Sequence, residues 1–430
     1  MKLNISNLNI VGNAEINING LAVIAGENGT GKSTVGKTLF ATLKAIAALR
    51  RNISTAREKA ITDLADPIFS RLYRLRLTAD NSELDLAYPT SRALFINEIC
   101  SLTTADDVNK YFAKALDAIC DKSVSDALRD EIEALASFIN QPAETSIDLS
   151  LALNRLLRSE FLGNISSENP DGKSQVTFSD EMSGMLISYN IEQNEPSVIK
   201  CDGQSAFRDV TYIESPLYLH LLDILGKVSG AQFFDKINPA TSMMLPAHVA
   251  DIVEKIESLK YAYDVKTINS QQVSSTLAEI AGGEFFYDTS RHAIMFRQGD
   301  NNIVPLNVAS GVKSLGLLHI LLDNKIIGPD RPLIWDEPEN HLHPSWQIRL
   351  AQFLVMLAAQ GIPIVVSTHS PYFIQGIRHY AVKLHAEHFV DYYLTEMEGA
   401  TSTTQCVNDD LNRIFIKLAA PLNEIMDLSE

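Results

Sequence analysis

Residues 26–34 read Gly-Glu-Asn-Gly-Thr-Gly-Lys-Ser-Thr, a spacing that is typical of a phosphate-binding loop. The glycines allow successive backbone N–H groups to face one anion, and a following helix adds the positive end of its dipole. We expect Lys32 to reach the β- and γ-phosphates of a nucleotide and the Ser33 hydroxyl to bind Mg²⁺. The predicted nucleotide-binding residues of this loop are Gly26, Asn28, Gly29, Thr30, Gly31, Lys32, Ser33 and Thr34.

Two adjacent carboxylates, Asp336 and Glu337, follow the apolar segment 333–335. A strand over that segment would carry Asp336 to the Mg²⁺, so Ser33 and Asp336 are the predicted metal ligands. Glu337 would lie one position further, where it can polarise a water in line with the γ-phosphate. Neighbouring carboxylates repel each other unless a cation lies between them, so the pair favours a catalytic site over an exposed acidic turn.

A third segment, Ser310-Gly311, begins a helical pattern 26 residues before Asp336. Free N–H groups, a hydroxyl and the helix dipole make such a start a second anion site, although the same pair alone is typical of an ordinary N-cap. Because residues 26–34 already account for one nucleotide, we expect Ser310 and Gly311 to bind the nucleotide of another subunit.

A fourth segment places His369 directly after the apolar run Ile364-Val-Val-Ser-Thr368, 33 residues beyond Asp336. Ligands of open α/β sheets bind at the carboxyl ends of the strands. An isolated histidine is more often structural, but this one would share the sheet edge with Asp336. We therefore predict that His369 contacts the γ-phosphate and acts with Glu337 in catalysis.

These segments must be positioned by a sheet, and the sequence pattern predicts an α/β fold in which a mixed sheet is flanked by helices. The predicted head comprises residues 1–50, 171–215 and 283–430, with two mostly helical insertions, 51–170 and 216–282. The sequence predicts strands over 2–9, 13–18, 20–25, 284–297, 303–306 and 362–367, and a strand-rich region over 172–213. It predicts a hairpin around Asp80-Asn81 and helices over about 32–48, 311–323, 344–360 and 408–428.

The composition indicates a folded protein with limited affinity for polyanions. The chain has 430 residues, 46% of them hydrophobic, which is enough for one large domain or two ordinary ones. A formal net charge of −17 disfavours nucleic-acid contact outside a local basic patch. The four cysteines lie far apart without a Cys-X-X-Cys pair, so neither a zinc site nor a disulfide framework is predicted. The sequence lacks a signal-peptide pattern and an 18-residue apolar run, so we expect a cytoplasmic protein without membrane contact.

The order and spacing of these motifs resemble those of the ABC-type ATPase heads of the SMC-like and overcoming-lysogenization-defect (OLD) class. The resemblance is greatest to stand-alone AAA-family ATPases of bacterial anti-phage systems, and the PARIS-type ATPase has a similar motif order. It covers roughly residues 1–45 and 300–380. The motifs that carry it are residues 26–33, 310–311, 336–344 and 368–371.

The resemblance implies an ATPase that forms a head-to-tail homodimer or higher homo-oligomer, with ATP buried between the phosphate loop of one subunit and the signature of the other. It implies that Glu337 is the catalytic base and His369 the γ-phosphate switch, and that Ser310 and Gly311 bind in trans. The residues implied to bind phosphate and Mg²⁺ within one subunit are Lys32, Ser33, Thr34 and Asp336.

The same resemblance places Asn340 and His341 in the D-loop, which contacts the other subunit and the nucleotide. The signature reads Ser-Gly-Val-Lys, where transporter cassettes have Ser-Gly-Gly-Gln. Glu214, which follows the apolar run 210–213, occupies the expected place of the Q-loop glutamine.

Two functions are compatible with these motifs. The first is a regulatory or sensor ATPase subunit, acting in anti-phage defence, that controls a separate effector protein such as a nuclease. OLD nucleases carry a metal-dependent Toprim domain after the ATPase. Only 61 residues follow His369 here, fewer than the roughly 100–150 residues of a typical domain, so we expect the effector to be another protein.

The second function is that of a RecF-like DNA-repair ATPase that clamps nucleic acid directly. Because the chain carries a net charge of −17, this function needs a local basic surface. Arg71, Arg74 and Arg76 could align along one face of a strand. The other candidates are Arg50, Arg51, Arg57 and Lys59.

Overall fold

The computed structural model describes residues 1–78, 88–89, 91–102, 104–118, 122–140, 146–166, 173–203, 205–215, 245–258, 278, 281–288 and 293–427. The chain divides into two compact units, a larger one formed by Met1–Ala48 with Ser146–Glu430 and a smaller one formed by Leu49–Thr145. Within the residues described, every helix is too short or too polar to span a membrane.

The larger unit contains both sheets. Its strands are β1 Lys2–Leu8, β2 Val11–Asn17, β3 Leu21–Gly26, β4 Ser174–Asp180, β5 Met185–Glu192, β6 Glu195–Asp202, β7 Thr211–Ile213, β8 Glu284–Asp288, β9 Ala293–Gln298, β10 Asn301–Ile303, β11 Leu333–Asp336, β12 Ile364–Thr368, β13 Val390–Glu398 and β14 Thr401–Cys406. The main sheet has the order β6-β5-β4-β1-β2-β14-β13-β3-β12-β11-β7, and a second sheet has the order β10-β9-β8. This mixed sheet confirms the predicted α/β fold class.

The described helices alternate with these strands in the larger unit and form most of the smaller one. They are α1 Lys32–Thr78, α2 Arg92–Ser101, α3 Ala105–Ala118, α4 Lys122–Asn140, α5 Ser146–Glu160, α6 Ala247–Ser258, α7 Ser310–Asp323, α8 Pro344–Ala359, α9 Pro371–Lys383 and α10 Asn412–Asp427. Helix α5 lies within the predicted insertion 51–170 but packs on β6 of the larger unit, where Arg158 pairs with Glu195 at 3.0 Å.

The parallel part of the main sheet fixes where the predicted site residues lie. β3 pairs in parallel with β12 and β13, and β11 pairs in parallel with β12 and β7. In this register Asp336 lies opposite Ser367, and Thr368 lies opposite Ala25. The carboxyl ends of β3, β11 and β12 therefore meet at one edge of the sheet.

These central strands are buried along their whole length. Every residue of β3, β11 and β12 is buried, as expected for parallel strands that read as continuous apolar runs. Trp335 belongs to the main hydrophobic core, which confirms that it serves sheet packing. Helices α8 and α9 contribute Phe353 and Phe373 to the same core, so the strand ends are held by packed helices.

The segment before α7 differs from prediction. A strand predicted over residues 303–306 is wrong: β10 ends at Ile303, and Pro305–Asn307 forms a 3₁₀ turn. Proline has no backbone N–H to donate to a strand ladder, so Pro305 ends the pairing.

The smaller unit has a separate apolar core. Its fully buried side chains include Ile68, Phe95, Phe112 and Leu128. Helix α1 continues to Thr78 instead of ending near residue 48. Residues 37–66 contain no glycine or proline that would end the helix, and the helix also includes Pro67.

The predicted basic strand face is wrong, because Arg71, Arg74 and Arg76 lie in helix α1. Arg71 donates to both carboxylate oxygens of Glu131 at 2.7 and 3.2 Å, so its charge is already paired. The side chains of Arg50, Arg51, Arg57, Lys59 and Arg76, the hairpin predicted around residues 80–81 and most of the block 216–282 lie outside the part of the chain that the structure describes.

Candidate nucleotide-binding site

The loop of residues 26–34 joins β3 to α1, as the sequence predicts. Gly29 and Gly31 have φ values of +78° and +90°, a left-handed conformation that favours glycine. A Cβ on Gly31 would lie 2.8 Å from Val11 Cγ2, and a Cβ on Gly26 would lie 2.6 Å from the Thr395 carbonyl oxygen. The loop itself therefore requires glycine at these positions.

The lysine of this loop is buried above the strand ends. Lys32 Nζ donates to the carbonyl oxygens of Gly26 at 2.9 Å and Glu27 at 2.7 Å. Burial lowers the pKa of Lys32, although the charges of Glu337 and Asp336 oppose that effect. Among the other loop residues, Asn28 and Gly29 are exposed, whereas Ser33 and Thr34 are half-buried in the first turn of α1. Thr30 is buried and donates its hydroxyl to the Glu27 carbonyl oxygen at 2.9 Å.

Asp336 ends β11 and is held from both neighbouring strands. Ser367 of β12 donates its hydroxyl to Asp336 Oδ1, and Tyr212 of β7 donates to Oδ2 at 3.2 Å. Lys32, Asp336 and Ser367 line one small cavity, so the structure brings the phosphate loop and the predicted metal carboxylate together.

Glu337 begins the turn after β11. Its φ of +46° is unusual for a residue with a side chain, and such strain is concentrated at functional turns. Its N–H donates to the Ser367 carbonyl oxygen at 3.0 Å. Its Oε2 accepts from Asn340 Nδ2 at 2.7 Å, and its Oε1 lies 3.1 Å from His369 Nδ1. The predicted base, the switch histidine and the D-loop asparagine thus form one cluster.

A second glutamate in this turn, Glu339, was not predicted. It is 3% exposed, and its Oε1 accepts from the Thr368 hydroxyl and, at 3.1 Å, from the His369 N–H. Burial raises the pKa of Glu339, although these hydrogen bonds oppose the rise. The sign of Glu339 in the sequence is a second glutamate two residues after Glu337, and such a segment is equally typical of an exposed acidic turn.

The donor set suits a small hard cation. The carboxylates of Glu337, Asp336 and Glu339 all act electrostatically on Lys32, so negative charge is concentrated at this edge. Mg²⁺ prefers oxygen ligands, few of them from the protein. A carboxylate on Asp336 and a hydroxyl on Ser33 at the start of α1 fit that preference.

Gly311 packs against residues 341–342 of its own chain, next to the predicted D-loop residue Asn340. Ala309 is the N-cap of α7 and Ser310 is its first helical residue, so the expected N-cap position is shifted by one. A Cβ on Gly311 would lie 2.9 Å from the His341 carbonyl oxygen and 2.7 Å from Leu342 Cδ2. The contacts of Gly311 thus run to residues 341–342, and Ser310 is half-buried.

Glu214 follows β7 at the same edge and belongs to a buried acid–histidine–acid cluster. Its Oε2 lies 2.9 Å from His248 Nε2, and His248 Nδ1 lies 2.7 Å from Glu160 Oε2. Burial alone would lower the pKa of His248, but the hydrogen bonds to Glu160 and Glu214 outweigh it and raise that pKa. The hydrogen bond from His248 lowers the pKa of Glu214.

Comparison with known protein families finds one similarity, which covers the second half of the candidate site. Residues 207–375 match the family described as "AAA domain, putative AbiEii toxin, Type IV TA system". The matched range contains Ser310, Asp336, Glu337 and His369, and it ends within α9. No curated protein matches the chain. This part of the chain is therefore similar to an AAA-type ATPase domain.

Solved structures similar to this chain include three SMC heads. The SMC head domain from Thermotoga maritima is 10% identical over 94% of this chain and 98% of its own, with a TM-score of 0.40. An Smc head bound to the C-winged helix domain of ScpA is 12% identical over 96% and 98%, with a TM-score of 0.42. An Smc head with an extended coiled coil, bound to the C-terminal domain of ScpA derived from Pyrococcus furiosus, is 12% identical over 100% and 99%, with a TM-score of 0.43.

Proposed function

We propose that this protein binds and hydrolyses ATP with Mg²⁺, pairs head-to-tail with a second copy, and acts as a regulatory subunit that controls a separate effector protein. The observation that carries the proposal is the convergence of Lys32, Asp336, Glu337 and His369 at one edge of the sheet. A cation, two carboxylates and an imidazole in contact there match the parts that phosphoryl transfer to water needs.

Each residue has a role that its contacts support. The N–H groups of residues 26–34 and Lys32 would bind the phosphates, and Ser33 with Asp336 would hold Mg²⁺. Bound Mg²⁺ supplies neutralisation of the charge on the phosphate oxygens. Glu337 would accept a proton from the attacking water, with Asn340 and His369 fixing its carboxylate.

Pairing of two copies would complete the site. Ser310 is half-buried at the first turn of α7, and the N-cap residue before it, Ala309, makes no side-chain capping hydrogen bond to that helix. The apolar side chains just before it, Val304 and Leu306, are 45% and 69% exposed. An exposed apolar patch beside a free helix start supports contact with another subunit and its nucleotide.

The regulatory role in anti-phage defence draws on the matched family, whose description includes a toxin–antitoxin system. The RecF-like alternative depends on free basic residues, and Arg71 is paired with Glu131. These observations favour a protein effector over nucleic acid as the partner.

The test is the variant Glu337→Gln. It should bind ATP as the wild type does but hydrolyse it at least ~100-fold more slowly, because the positioned base is lost. Near-normal turnover would contradict the assignment of Glu337. The same variant, loaded with ATP and Mg²⁺ and captured from a lysate of its host, should retain a stoichiometric protein after nuclease treatment. Enrichment of nucleic acid alone, lost on nuclease digestion, would favour the RecF-like clamp.

A further inference from the structure

Helix α10 lies against β3, the strand that leads into the phosphate loop, and the proposed reaction does not use it. Ile414 of α10 is 0% exposed and belongs to the main hydrophobic core. Phe415 and Leu418 are partly buried and pack against the same core. The first turns of α10 are therefore fixed beside the phosphate loop by apolar contacts.

Lys417 of α10 forms an ion pair with the phosphate loop itself. Its Nζ lies 3.7 Å from Oε1 of Glu27, the second residue of the loop. The backbone carbonyl oxygen of Glu27 accepts from Lys32 Nζ at 2.7 Å. Burial lowers the pKa of Lys32, and the charge of Glu27 is one of those that oppose this effect. The Glu27 carboxylate therefore acts electrostatically on the group that would bind the phosphates.

Arg413 makes a second ion pair on the same face of α10, since it precedes Lys417 by four residues. It donates to Glu396 Oε2 at 3.3 Å. Glu396 and Glu27 each come directly after the last paired residues of β13 and β3. Two acids that border the phosphate loop are thus each matched by a cation of α10.

The charge of Glu27 matters for an anionic ligand. The Glu27 side chain is 50% exposed, and without a nearby cation its charge would repel the phosphates of a nucleotide at the loop. The same exposure makes the ion pair with Lys417 a weak source of stability. Apolar contacts already hold α10 in place. The ion pair is therefore better suited to setting the charge of the loop than to anchoring the helix.

We propose that Lys417 is a positioning residue of the nucleotide site, which pairs with Glu27 and so removes the repulsion between this carboxylate and the phosphates of ATP. The affinity of the loop for ATP then depends on the docking of α10, a helix outside the sequence motifs. Any partner that displaces α10 weakens ATP binding. This inference rests on the proposed binding of ATP at residues 26–34.

The test measures the affinities of MANT-ATP and MANT-ADP by fluorescence in Mg²⁺-free buffer, where hydrolysis does not proceed. Lys417→Met removes the charge and keeps most of the apolar stem of the side chain. We expect this variant to bind MANT-ATP about 3- to 10-fold more weakly at low salt, the size expected for one unit charge near a polyanion at the protein surface. MANT-ADP should lose less, because it carries fewer phosphate charges. Added salt should reduce both losses, because exposed charges are screened.

The double variant Glu27→Gln/Lys417→Met distinguishes an effect of charge from an effect of anchoring. It lacks both charges of the pair, so it should bind MANT-ATP within about twofold of the wild type. If Lys417 only anchored α10, removing the Glu27 charge could not restore the affinity. The matched control is Lys2→Met, which breaks an exposed ion pair of 2.5 Å with Glu15 and should leave both affinities unchanged.

Two results would overturn the inference. One is a folded Lys417→Met protein that binds MANT-ATP like the wild type, and the other is a loss that Glu27→Gln does not restore. A wild-type protein that binds neither nucleotide would contradict the proposed function as well. The predicted affinities together with an absence of turnover in Mg²⁺ would contradict only the proposed hydrolysis.

Discussion

Replacing Glu339 by leucine tests whether a buried carboxylate positions the switch histidine. One carboxyl oxygen accepts from both the Thr368 hydroxyl and the His369 backbone N–H. The imidazole of the same His369 lies 3.1 Å from Glu337, the proposed base. Glu339 therefore acts on the proposed base through the loop that carries His369.

The size of the effect follows from the two lost hydrogen bonds. Leucine leaves two buried donors without their acceptor, at about 1–3 kcal/mol each. We expect the loop that carries His369 to move so that these donors find other acceptors. A displacement of about 1 Å of a group in the catalytic site lowers the rate roughly 100-fold. We expect Glu339→Leu to lower kcat by about that factor. ATP affinity should change little, because Lys32 donates its direct hydrogen bonds to the carbonyl oxygens of Gly26 and Glu27 and not to Glu339.

The assay measures single-turnover hydrolysis and nucleotide binding on the same preparation, with thermal unfolding to confirm the fold. Burial raises the pKa of Glu339, so glutamine resembles its protonated form and Glu339→Gln should retain most activity. The control is Glu398→Leu, which removes an exposed glutamate–threonine hydrogen bond of 2.8 Å to Thr403. Wild-type turnover by folded Glu339→Leu, or equal losses in the leucine and glutamine variants, would refute the reasoning.

Two further predictions concern stability and pairing. Burial opposes ionisation of Asp209, but ion pairs with Lys255 and Lys44 prevail and lower its pKa from 3.8 to about 2. The resulting stability, about 2 kcal/mol, is present above pH 4 and is lost as pH falls towards 2. Urea unfolding between pH 5 and 2 should show this loss in the wild type and in exposed Asp330→Asn, but not in Asp209→Asn; parallel curves for the three proteins would exclude the contribution of Asp209. Ser310→Arg should bind ATP yet form no ATP-dependent dimer by light scattering, and persistent dimers would argue against binding in trans.

The part of the site that could be predicted from the sequence is local. The glycines of residues 26–34 are required by φ values and close approaches within one short loop, so their spacing alone specifies the turn. Asp336 and His369 end apolar strands, and parallel strands place their carboxyl ends at one edge. In each case a few consecutive residues determine the local structure that positions the site residue.

The part that could not be predicted depends on distant segments. Glu160, His248 and Glu214 come from the end of α5, the start of α6 and the end of β7. Only Glu214 was singled out from the sequence, and its two partners lie in no motif. Glu339 reads as one more acid in a turn until its burial against Thr368 is known. The burial of these polar side chains depends on the tertiary fold, so the local sequence pattern does not predict it.

The turn after β11 connects the proposed catalytic residue Glu337 with Gly311 of the predicted signature in the same chain. Glu337 and His341 both have left-handed φ values, +46° and +64°, and hydrogen bonds from Asn340 N to Glu337 O and from Leu342 N to Glu339 O close the backbone between them. The amide of Asn340 also holds the Glu337 carboxylate. At its far end the turn abuts Gly311, where a single added Cβ would meet the His341 carbonyl oxygen. Because the backbone at Gly311 is packed this closely against residues 341–342, a shift of one segment displaces the other. We therefore expect a second subunit that displaces Gly311 to move the turn that positions Glu337 as well, so that the proposed pairing and the proposed hydrolysis depend on one backbone conformation.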